Sequence, residues 1–459
     1  MRDEKQIEQM QNLSSLALKR VREFNCEATI NMNFAKEYAT RFSNSTVLQN
    51  YVDYNNVFDI TAVYNGTQRA SSRTNDLSEK SILNLVDYAV KIAKLVPPDP
   101  VYPGIPKEEQ QFPKLSLNDP NAASIGPEDI IDKVESAFIA GEAVGKKVQG
   151  VSGNILLSNG NVFFSSSNDV EVIYPSTTIS SNLNINAVQN DEESRSNSNF
   201  GSRILAKLEM EKEAKEVAER AVLGLNAQSI EPGEYEVLFD HQAASTLTFM
   251  VGFGTSSRMI VDRSSYLNDK IGQQVFGKQL SIENDPHNEV ILSAKPIDDE
   301  GTATQKFSIV EDGVLMNYAY SRLDAARLGT VSNGCGFTFF GSTMGFPFAL
   351  KMREGSKSKE SMIADIDDGL IVTNLHYTNF VNPPVGSITG MTKDGVFRVK
   401  NGEIVGSVKN MRFTDEIPKF MKDIEVGSEL RQPVRGRGGS GLVAPIKVKN
   451  FKFTSKTQH

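Results

Sequence analysis

Apolar and polar residues alternate with two different periods along this chain, and these periods separate helical from strand-like segments. Apolar residues recur at helical spacing in four segments of the first half: 3–24, 77–96, 127–148 and roughly 203–224. The residues between these segments are rich in Asn and Thr and alternate with a period of two, which is typical of strands. The first half is therefore predicted to mix helices with strand meanders, and no internal repeat is apparent.

Short turn and capping signals refine this pattern. Asn65-Gly66 and Asn159-Gly160 each lie between alternating runs, and Asn-Gly is a strong signal for a tight hairpin. Asp76 and Glu79 have the spacing of a capping box at the start of a helix. The sequence thus predicts two hairpins and one defined helix start.

The second half has mostly strand periodicity. Asp312-Gly313 and Asn401-Gly402 predict turns between alternating runs, and residues 444–455 alternate cleanly. A short helix is expected within 358–370, and an apolar run at 235–239 leads into a helix that begins near DHQAAST. The predicted fold class is α+β with two domains. These are an N-terminal domain at 1–228, with a Pro-rich connection at about 97–127, and a β-rich C-terminal domain at 229–459.

Composition and charge narrow the possible functions. The chain has 459 residues, 39% of them hydrophobic, and a net charge of -8, which argues against general nucleic-acid binding. The local basic run at 431–439 is interpreted as a solvated loop. Cys26 and Cys335 are far apart, so a disulfide scaffold or thiolate metal site is not expected. No signal peptide or membrane span is evident, and a cytoplasmic location is expected.

The stretch DHQAAST at 240–246 raises the question of a metal site. Zinc peptidases combine histidine ligands on one helix with a carboxylate that activates the metal-bound water. In this chain the residue after His241 is Gln242, which cannot accept that proton. The other histidines are His287, His376 and His459, and none of the four forms a close pair, so structural roles are favoured for His287 and His376.

Two further groups could carry chemistry. Asp298, Asp299 and Glu300 precede Gly301; they could act as paired carboxylates or hold Mg²⁺, but the same residues are typical of a turn. Ser440 in GGSGL resembles a nucleophile elbow only loosely, because the Gly-x-Ser-x-Gly frame is absent. The turn is the favoured interpretation of the acidic group.

Four segments together resemble the TldD/TldE (PmbA) family. They are EYEVLFDHQAASTLTFMVG, SSYLNDKIGQQVFGKQLSIENDPH, AKPIDDEGTATQKFSIVEDGVLMNYAYSRLDAARLG and TGMTKDGVFRVKNGEIVGSVKNMRFTD, in order through about 230–450. The resemblance implies two α+β domains and a cytosolic heterodimeric metallopeptidase that trims leader peptides and degrades unfolded polypeptides. In such a heterodimer the TldD-type subunit carries His-Glu-x-x-x-His on a helix and a cysteine near the C-terminus as the third zinc ligand, whereas the TldE-type subunit lacks these residues and completes the chamber. An older label of the family is modulator of DNA gyrase.

Comparison with that motif, residue by residue, indicates the TldE branch. His241 matches the first histidine, but Gln242 stands at the glutamate position and Thr246 at the second histidine position. The cysteine position falls near Gly439 or Ser440, about a hundred residues after Cys335. The resemblance thus implies a catalytically inactive subunit without metal or other cofactor, zinc in a TldD-like partner, and a peptide or unfolded-protein substrate.

Two alternatives remain open. One is an independent hydrolase that uses Asp298, Asp299, Glu300, His376 or Ser440. The other is a non-enzymatic binding protein of the gyrase-modulator type, which the acidic net charge does not favour.

Overall fold

The structure is a computed structural model that describes residues 4–107, 110–122, 124–339, 342–434 and 441–457. Its helices are α1 (Glu4–Glu23), α2 (Glu79–Ala93), α3 (Pro127–Glu142), α4 (Met210–Leu223), α5 (His241–Gly254), α6 (Ser257–Val261), α7 (Arg322–Arg327), α8 (Lys359–Ala364) and α9 (Ile417–Phe420). The strands of the first half are β1 (Glu27–Ser43), β2 (Thr46–Tyr64), β3 (Gln68–Thr74), β4 (Val148–Ser166), β5 (Glu171–Gln189) and β6 (Glu192–Ser202).

The second half contributes thirteen more strands among the described residues. They are β7 (Gly233–Phe239), β8 (Ile282–Asn284), β9 (Phe307–Glu311), β10 (Val314–Leu315), β11 (Gly336–Phe339), β12 (Ser342–Gly345), β13 (Leu350–Met352), β14 (Asp368–Asn382), β15 (Ser387–Lys400), β16 (Glu403–Ser407), β17 (Met411–Glu416), β18 (Ile424–Val426) and β19 (Ile446–Lys456). The predicted α+β class, with an antiparallel-rich C-terminal part, is confirmed. The predicted boundary at 228–229 lies in the connection between α4 and β7.

The N-terminal half is one antiparallel sheet of six strands in the order β3-β2-β1-β4-β5-β6. Helices α1 and α2 cover the β1–β3 side, and α3 and α4 cover the β4–β6 side. Alternate residues of the long strands point into these two apolar cores, so all four helices lie on the same face of the sheet. The opposite face carries Asn, Ser and Thr side chains from β4 to β6.

This half contains a repeated arrangement that the sequence pattern did not reveal. A helix, three strands and a second helix occur twice, as α1-β1-β2-β3-α2 and then as α3-β4-β5-β6-α4. The two units meet where β1 pairs with β4, so the strand order is symmetric about that pair. The two units differ in sequence because burial requires only apolar residues at alternate positions.

The C-terminal half is built on a closed ring of five strands. The strands follow one another as β14, β7, β19, β17 and β15, and β15 pairs again with β14. Strands β7 and β14 are parallel, whereas the other pairs are antiparallel. Helix α5 leaves the end of β7 and packs on β14 and β13, and its apolar residues join the largest core of the molecule. This arrangement places the start of α5 between the two halves.

Three local predictions were wrong. Asn159-Gly160 is not a hairpin: it lies inside the 19-residue strand β4, where Gly160 pairs with Ala35 on one side and Ser176 on the other. Strand partners on both sides outweigh the local turn preference. A Cβ at Gly160 would approach the Phe34 carbonyl oxygen to 1.9 Å, so the glycine allows close backbone approach.

The other two errors concern helix starts. Ser78, rather than Asp76, caps α2 by accepting a hydrogen bond from the Ser81 amide. Helix α4 begins at Met210 instead of near residue 203, and a short 3-10 helix at Leu205–Lys207 precedes it. Arg203, where the helix was expected to begin, is buried and bonds to other parts of the chain. The buried guanidinium donates to backbone carbonyls of three separate segments: Leu117, Thr177, Glu289, Ile291 and Leu292. Burial lowers the pKa of Arg203 to about 10.

Candidate functional site

The sequence DHQAAST forms the junction between β7 and α5. Asp240 adopts an extended conformation and caps α5, and its carboxylate accepts a hydrogen bond from the His241 amide. The other carboxylate oxygen lies 2.6 Å from Lys359 Nζ at the start of α8. Burial alone would raise the pKa of Asp240, but Lys359 and the hydrogen bond from His241 outweigh it and hold this pKa well below its usual value. Asp240 is therefore a buried, paired carboxylate.

Both ring nitrogens of His241 already have partners. Nδ1 lies 2.9 Å from Asp240 Oδ1, and Nε2 lies 3.0 Å from the backbone carbonyl oxygen of Glu429. Both partners are hydrogen-bond acceptors, so neither nitrogen directs a lone pair toward open space. The side chain is almost completely buried, with 3% of its surface exposed. His241 thus joins the helix cap to the segment around Glu429.

That segment is itself attached to the N-terminal half. The Arg431 guanidinium forms ion pairs with Glu213 and with Glu216 of α4, and it lies over the Phe200 ring of β6. The ion pairs hold residues 429–431 against α4, and His241 holds the same residues against α5. The histidine is therefore linked to the N-terminal half indirectly, through residues 429–431.

Gln242 points across this interface to strand β6. Its Oε1 accepts a hydrogen bond from the Asn199 amide at 2.6 Å. Its Nε2 donates to the Asn197 side-chain oxygen at 3.1 Å and approaches the Asn197 carbonyl oxygen at 3.3 Å. An amide can both donate and accept, which a glutamate carboxylate cannot. Gln242, at the glutamate position of the motif, thus uses both of its polar atoms to bond Asn197 and Asn199 of β6.

Thr246 makes a local hydrogen bond. Its hydroxyl donates to the Gln242 carbonyl oxygen one turn earlier, at 3.2 Å, and the side chain is 3% exposed. Hydroxyls that bond back to their own helix are common and need no ligand. The three motif positions His241, Gln242 and Thr246 are all hydrogen-bonded within the protein.

Asn197 is the centre of a polar network that sequence reasoning missed. Its amide group donates to the Asp394 carboxylate, and its side-chain oxygen accepts from Asn374 at 3.3 Å. Burial raises the pKa of Asp394, and the nearby cations Lys393 and Arg195 offset part of this shift. The only signal in the sequence was the Asn-rich composition of β6, which does not show that these side chains meet β14, β15 and α5.

The acidic group Asp298-Asp299-Glu300 forms a turn. Asp298 accepts from the amides of Glu300, Thr302 and Gly336, and Asp299 accepts from the Thr338 amide and pairs with Lys295. Glu300 accepts from the Arg322 amide at 2.6 Å. Burial raises the pKa of Asp298 to about 6, and burial followed by the charge of Asp298 raises the pKa of Glu300 to about 8.

The remaining sequence candidates are dispersed. His287 Nε2 lies 2.9 Å from the Thr304 carbonyl oxygen, and His376 packs on Tyr377 with its pKa lowered by burial and by Lys393. Cys26 and Cys335 are buried and unbridged, and burial raises the pKa of Cys335 well above its usual value. Gly439, Ser440 and His459 lie outside the described residues.

The donor chemistry does not fit a zinc site at α5. Zinc in a peptidase takes three protein ligands such as imidazole, thiolate or carboxylate, and the two ligand positions on α5 hold an engaged imidazole, His241, and a buried hydroxyl, Thr246. The water-activating position holds the neutral amide of Gln242. Among the residues that the structure describes, no group of three or more His, Cys, Asp or Glu side chains is arranged to hold a metal ion. No described helix is long and apolar enough to cross a membrane.

Two protein-family models match this chain. A model of the PmbA/TldA metallopeptidase central domain matches residues 120–225, and a model of the PmbA/TldA metallopeptidase C-terminal domain matches residues 232–455. The chain belongs to the PmbA/TldD family. The resemblance drawn from the sequence is thus confirmed. The α5 junction lies within the C-terminal metallopeptidase domain of that family, and β6 lies within the central domain.

Individual relatives cover most of the chain. The metalloprotease PmbA of Escherichia coli O157:H7 is 25% identical over 391 residues, 84% of each chain. The metalloprotease PmbA homolog of Haemophilus influenzae is 26% identical over 406 residues, also 84% of each chain. The crystal structure of TldE from Thermococcus kodakarensis superposes with a TM-score of 0.86 at 19% identity and covers 97% of this chain and 100% of that one. The PmbA/TldD fold is therefore shared over nearly the whole molecule.

Proposed function

We propose that this PmbA/TldD-family chain is a TldE-like subunit without its own zinc site, which completes a peptidase together with a zinc-bearing, TldD-like partner. The observation that carries this proposal is the state of His241: both of its ring nitrogens are engaged, to Asp240 and to the Glu429 carbonyl. Gln242 and Thr246 support it, since neither supplies a general base or a good zinc ligand. The activity of the complex would then depend on the partner's metal.

The contribution of this chain would be structural. The hydrogen bonds that hold α5 against β6 fix the angle between the two halves, and this angle shapes any chamber formed with the partner. Such a chamber would admit peptides or unfolded polypeptides and exclude folded proteins. We expect the complex to be cytoplasmic, as the resemblance to the TldD/TldE family implies.

Zinc content measured by elemental mass spectrometry tests the proposal. The chain purified alone should contain no stoichiometric zinc and cleave no peptide. After co-expression with a TldD-like chain from the same genome, about one zinc per heterodimer should appear together with peptidase activity. Stoichiometric zinc and peptide cleavage in the lone chain would overturn the proposal.

Matched variants assign the metal to one subunit. Thr246→Val in this chain removes the hydroxyl but keeps the shape, so zinc content and activity of the complex should be unchanged. Alanine at the first histidine of the partner's motif should abolish both. A variant of the acidic turn tests the alternative that the lone chain is itself a hydrolase. If the lone chain cleaved peptides and Glu300→Gln abolished this cleavage, the chain would be an independent hydrolase and the partner-subunit proposal would be wrong.

A further inference from the structure

Four Asn-Gly pairs occur in this chain, at 65–66, 159–160, 333–334 and 401–402. In such a pair the backbone amide of the glycine can attack the asparagine side chain with little hindrance, because glycine has no side chain of its own. In a folded protein the reaction depends on whether the glycine amide nitrogen and the asparagine Cγ are free to meet. The surroundings of the four pairs differ in this respect.

Asn159-Gly160 is held inside the N-terminal sheet. Gly160 pairs with residues of β1 and of β5, so its amide lies in the hydrogen-bond ladder of a central strand. The Asn159 side-chain oxygen accepts a hydrogen bond from the Thr177 hydroxyl at 2.8 Å. Neither reacting group can approach the other unless the strand opens.

Asn333-Gly334 is held by hydrogen bonds to both reacting groups. Asn333 Oδ1 accepts from the Tyr320 amide at 2.8 Å, and Nδ2 donates to the Tyr318 carbonyl oxygen at 2.9 Å. The Gly334 amide donates to the Ser332 hydroxyl at 3.2 Å. These bonds must break before the glycine nitrogen can reach Cγ.

The remaining two pairs form hairpin turns and provide a matched comparison. Asn65 and Asn401 are both exposed, and each pair has two positive φ angles, 49° and 69° in the first turn and 49° and 78° in the second. The Gly402 amide donates to the Ile366 carbonyl oxygen at 2.8 Å, which anchors the second turn to the end of α8. The two turns thus share sequence and conformation but differ in this anchor.

The turn at Asn65-Gly66 has both reacting groups free. Among the residues that the structure describes, none hydrogen-bonds to the Asn65 side chain or to the Gly66 amide. A Cβ at Gly66 would meet nothing within 4 Å, so the turn has open space around it. The turn is closed by the Thr67 amide, which donates to the Tyr64 carbonyl oxygen at a long 3.3 Å.

We propose that Asn65 is a site of spontaneous deamidation in the folded protein. The Gly66 amide loses its proton to water, and its nitrogen forms a bond to Asn65 Cγ. The bond from Cγ to Nδ2 breaks, and Nδ2 takes up a proton and leaves as ammonia. Water then opens the five-membered imide at Cγ, which gives aspartate, or at the backbone carbonyl carbon, which gives isoaspartate. The reaction consumes water, releases ammonia and transfers no electrons.

The isoaspartate product would lengthen the backbone at a point that holds the chain after α2. Gln68 Nε2 donates to the Val96 carbonyl oxygen at 2.7 Å, and the Asp99 amide donates to the Thr67 carbonyl oxygen at 3.0 Å. Asp99 also pairs with Arg327 of α7 at 3.0 Å. An isoaspartate runs the main chain through Cβ and Cγ, and this extra atom in the turn displaces the start of β3 relative to β2. Deamidation should therefore loosen the Pro-rich connection that begins near residue 97.

Peptide mapping by mass spectrometry tests the site. The full chain, purified alone, is incubated in mildly alkaline buffer, one sample folded and one unfolded in urea. In urea all four asparagines should deamidate at similar rates. In the folded protein Asn65 should react at least about tenfold faster than Asn159, Asn333 or Asn401, because those three must first break hydrogen bonds. If Asn65 stayed intact in the folded chain, or if Asn401 reacted as fast, the proposal would be overturned.

Two variants at the same position separate the reaction from its consequence. Asn65→Gln lengthens the side chain and disfavours closure of the ring, so this variant should stay unmodified under the same conditions. Asn65→Asp carries the aspartate product on a normal backbone. By hydrogen exchange, amides at 97–102 should exchange several-fold faster in the isoaspartate form than in Asn65→Asp. Equal exchange in the two would refute the effect on the connection.

This modification is independent of the proposed partner function. The mapping uses the lone chain and needs no zinc, so failure of the zinc experiment does not change its outcome. Asn65→Gln should leave the zinc content of the co-expressed complex unchanged, because the turn lies outside the α5 junction.

Discussion

Gln242 on α5 accepts a hydrogen bond from the backbone amide of Asn199 on β6, with 2.6 Å between Oε1 and N. The same side chain donates to Asn197, so one glutamine connects the N-terminal sheet to the C-terminal half through both of its polar atoms. This position corresponds to the catalytic glutamate expected in a zinc-bearing family member. The position whose carboxylate would activate metal-bound water in such a chain is occupied here by a glutamine that bonds across an internal interface.

Gln242→Glu should destabilise the protein. The carboxylate can still accept from the Asn199 amide, but it cannot donate to the oxygen atoms of Asn197 and adds negative charge near Asp394. We expect the free energy of unfolding in urea to fall by about 1–3 kcal/mol at neutral pH. Gln49→Glu makes the same change at an exposed position and should have little effect. Equal stability of the two variants would show that the Gln242 donor bonds contribute nothing.

Asp240→Asn should lower the free energy of unfolding more than Gln242→Glu does. It removes the negative charge that faces Lys359 Nζ at 2.6 Å and His241 Nδ1 at 2.9 Å in a buried environment. Removal of one partner of a buried pair typically costs about 3–5 kcal/mol. Asp312→Asn is the matched control, because Asp312 pairs with Arg353 at an exposed site. Similar unfolding midpoints in urea for both variants would contradict the importance of burial.

The lowered pKa of Asp240 predicts that the protein loses stability at acidic pH, when this carboxylate becomes protonated. Its pKa is lowered in the folded protein, so its contribution is complete above the unfolded value of about 3.9 and is lost as the pH falls toward the folded value. The stability difference between the parent chain and Asp240→Asn should therefore be constant at neutral pH and shrink below about pH 4. Urea unfolding of both proteins from pH 3 to 7 measures this difference; a difference independent of pH would exclude the linkage.

The raised pKa of Glu300 predicts that its contribution to stability changes with pH in the opposite direction. Its pKa is raised to about 8 in the folded protein, so the folded state holds the proton more tightly than the unfolded state. Its ionisation therefore lowers stability as the pH rises from about 4.3, the unfolded value, toward 8. Glu300→Gln removes this penalty and can still accept the Arg322 amide bond. Relative to the parent chain, its melting temperature should rise between pH 5 and 8, whereas Glu354→Gln, at an exposed site, should show no such trend.

Gly301→Ala should destabilise the folded protein in two ways, by backbone strain and by a steric clash with Phe164. Gly301 has a φ of +88°, and a Cβ there would approach Phe164 Cζ of β4 to 2.4 Å. Gly272 has a similar φ of +80°, but a Cβ there would meet nothing within 4 Å. Gly272→Ala should therefore report only the backbone cost of about 1 kcal/mol, and Gly301→Ala should cost 1–3 kcal/mol more, roughly. Equal losses in urea unfolding would show that the acidic turn does not press on β4.

Much of the local structure could be predicted from the sequence because it depends on neighbouring residues. Asn65-Gly66, Asp312-Gly313 and Asn401-Gly402 form the predicted turns, since in each pair both residues adopt positive φ. The replacement of a glutamate by Gln242 could also be read directly, because a neutral amide cannot act as a general base wherever it lies. The sequence by itself therefore determined the periodic elements, the family resemblance and the incompleteness of the metal motif.

The tertiary structure decided what the residues at that motif do instead. Asn159-Gly160 has the same local signal as the true turns, but strand partners on both sides keep it extended within β4. The partners of His241 and Gln242 come from Glu429 and Asn197, which are distant in sequence and meet only when the two halves pack. Hydrogen bonding and burial depend on which residues are neighbours in space. The alternation of apolar and polar residues along the chain predicts helices and strands, but it does not show which distant residues become neighbours.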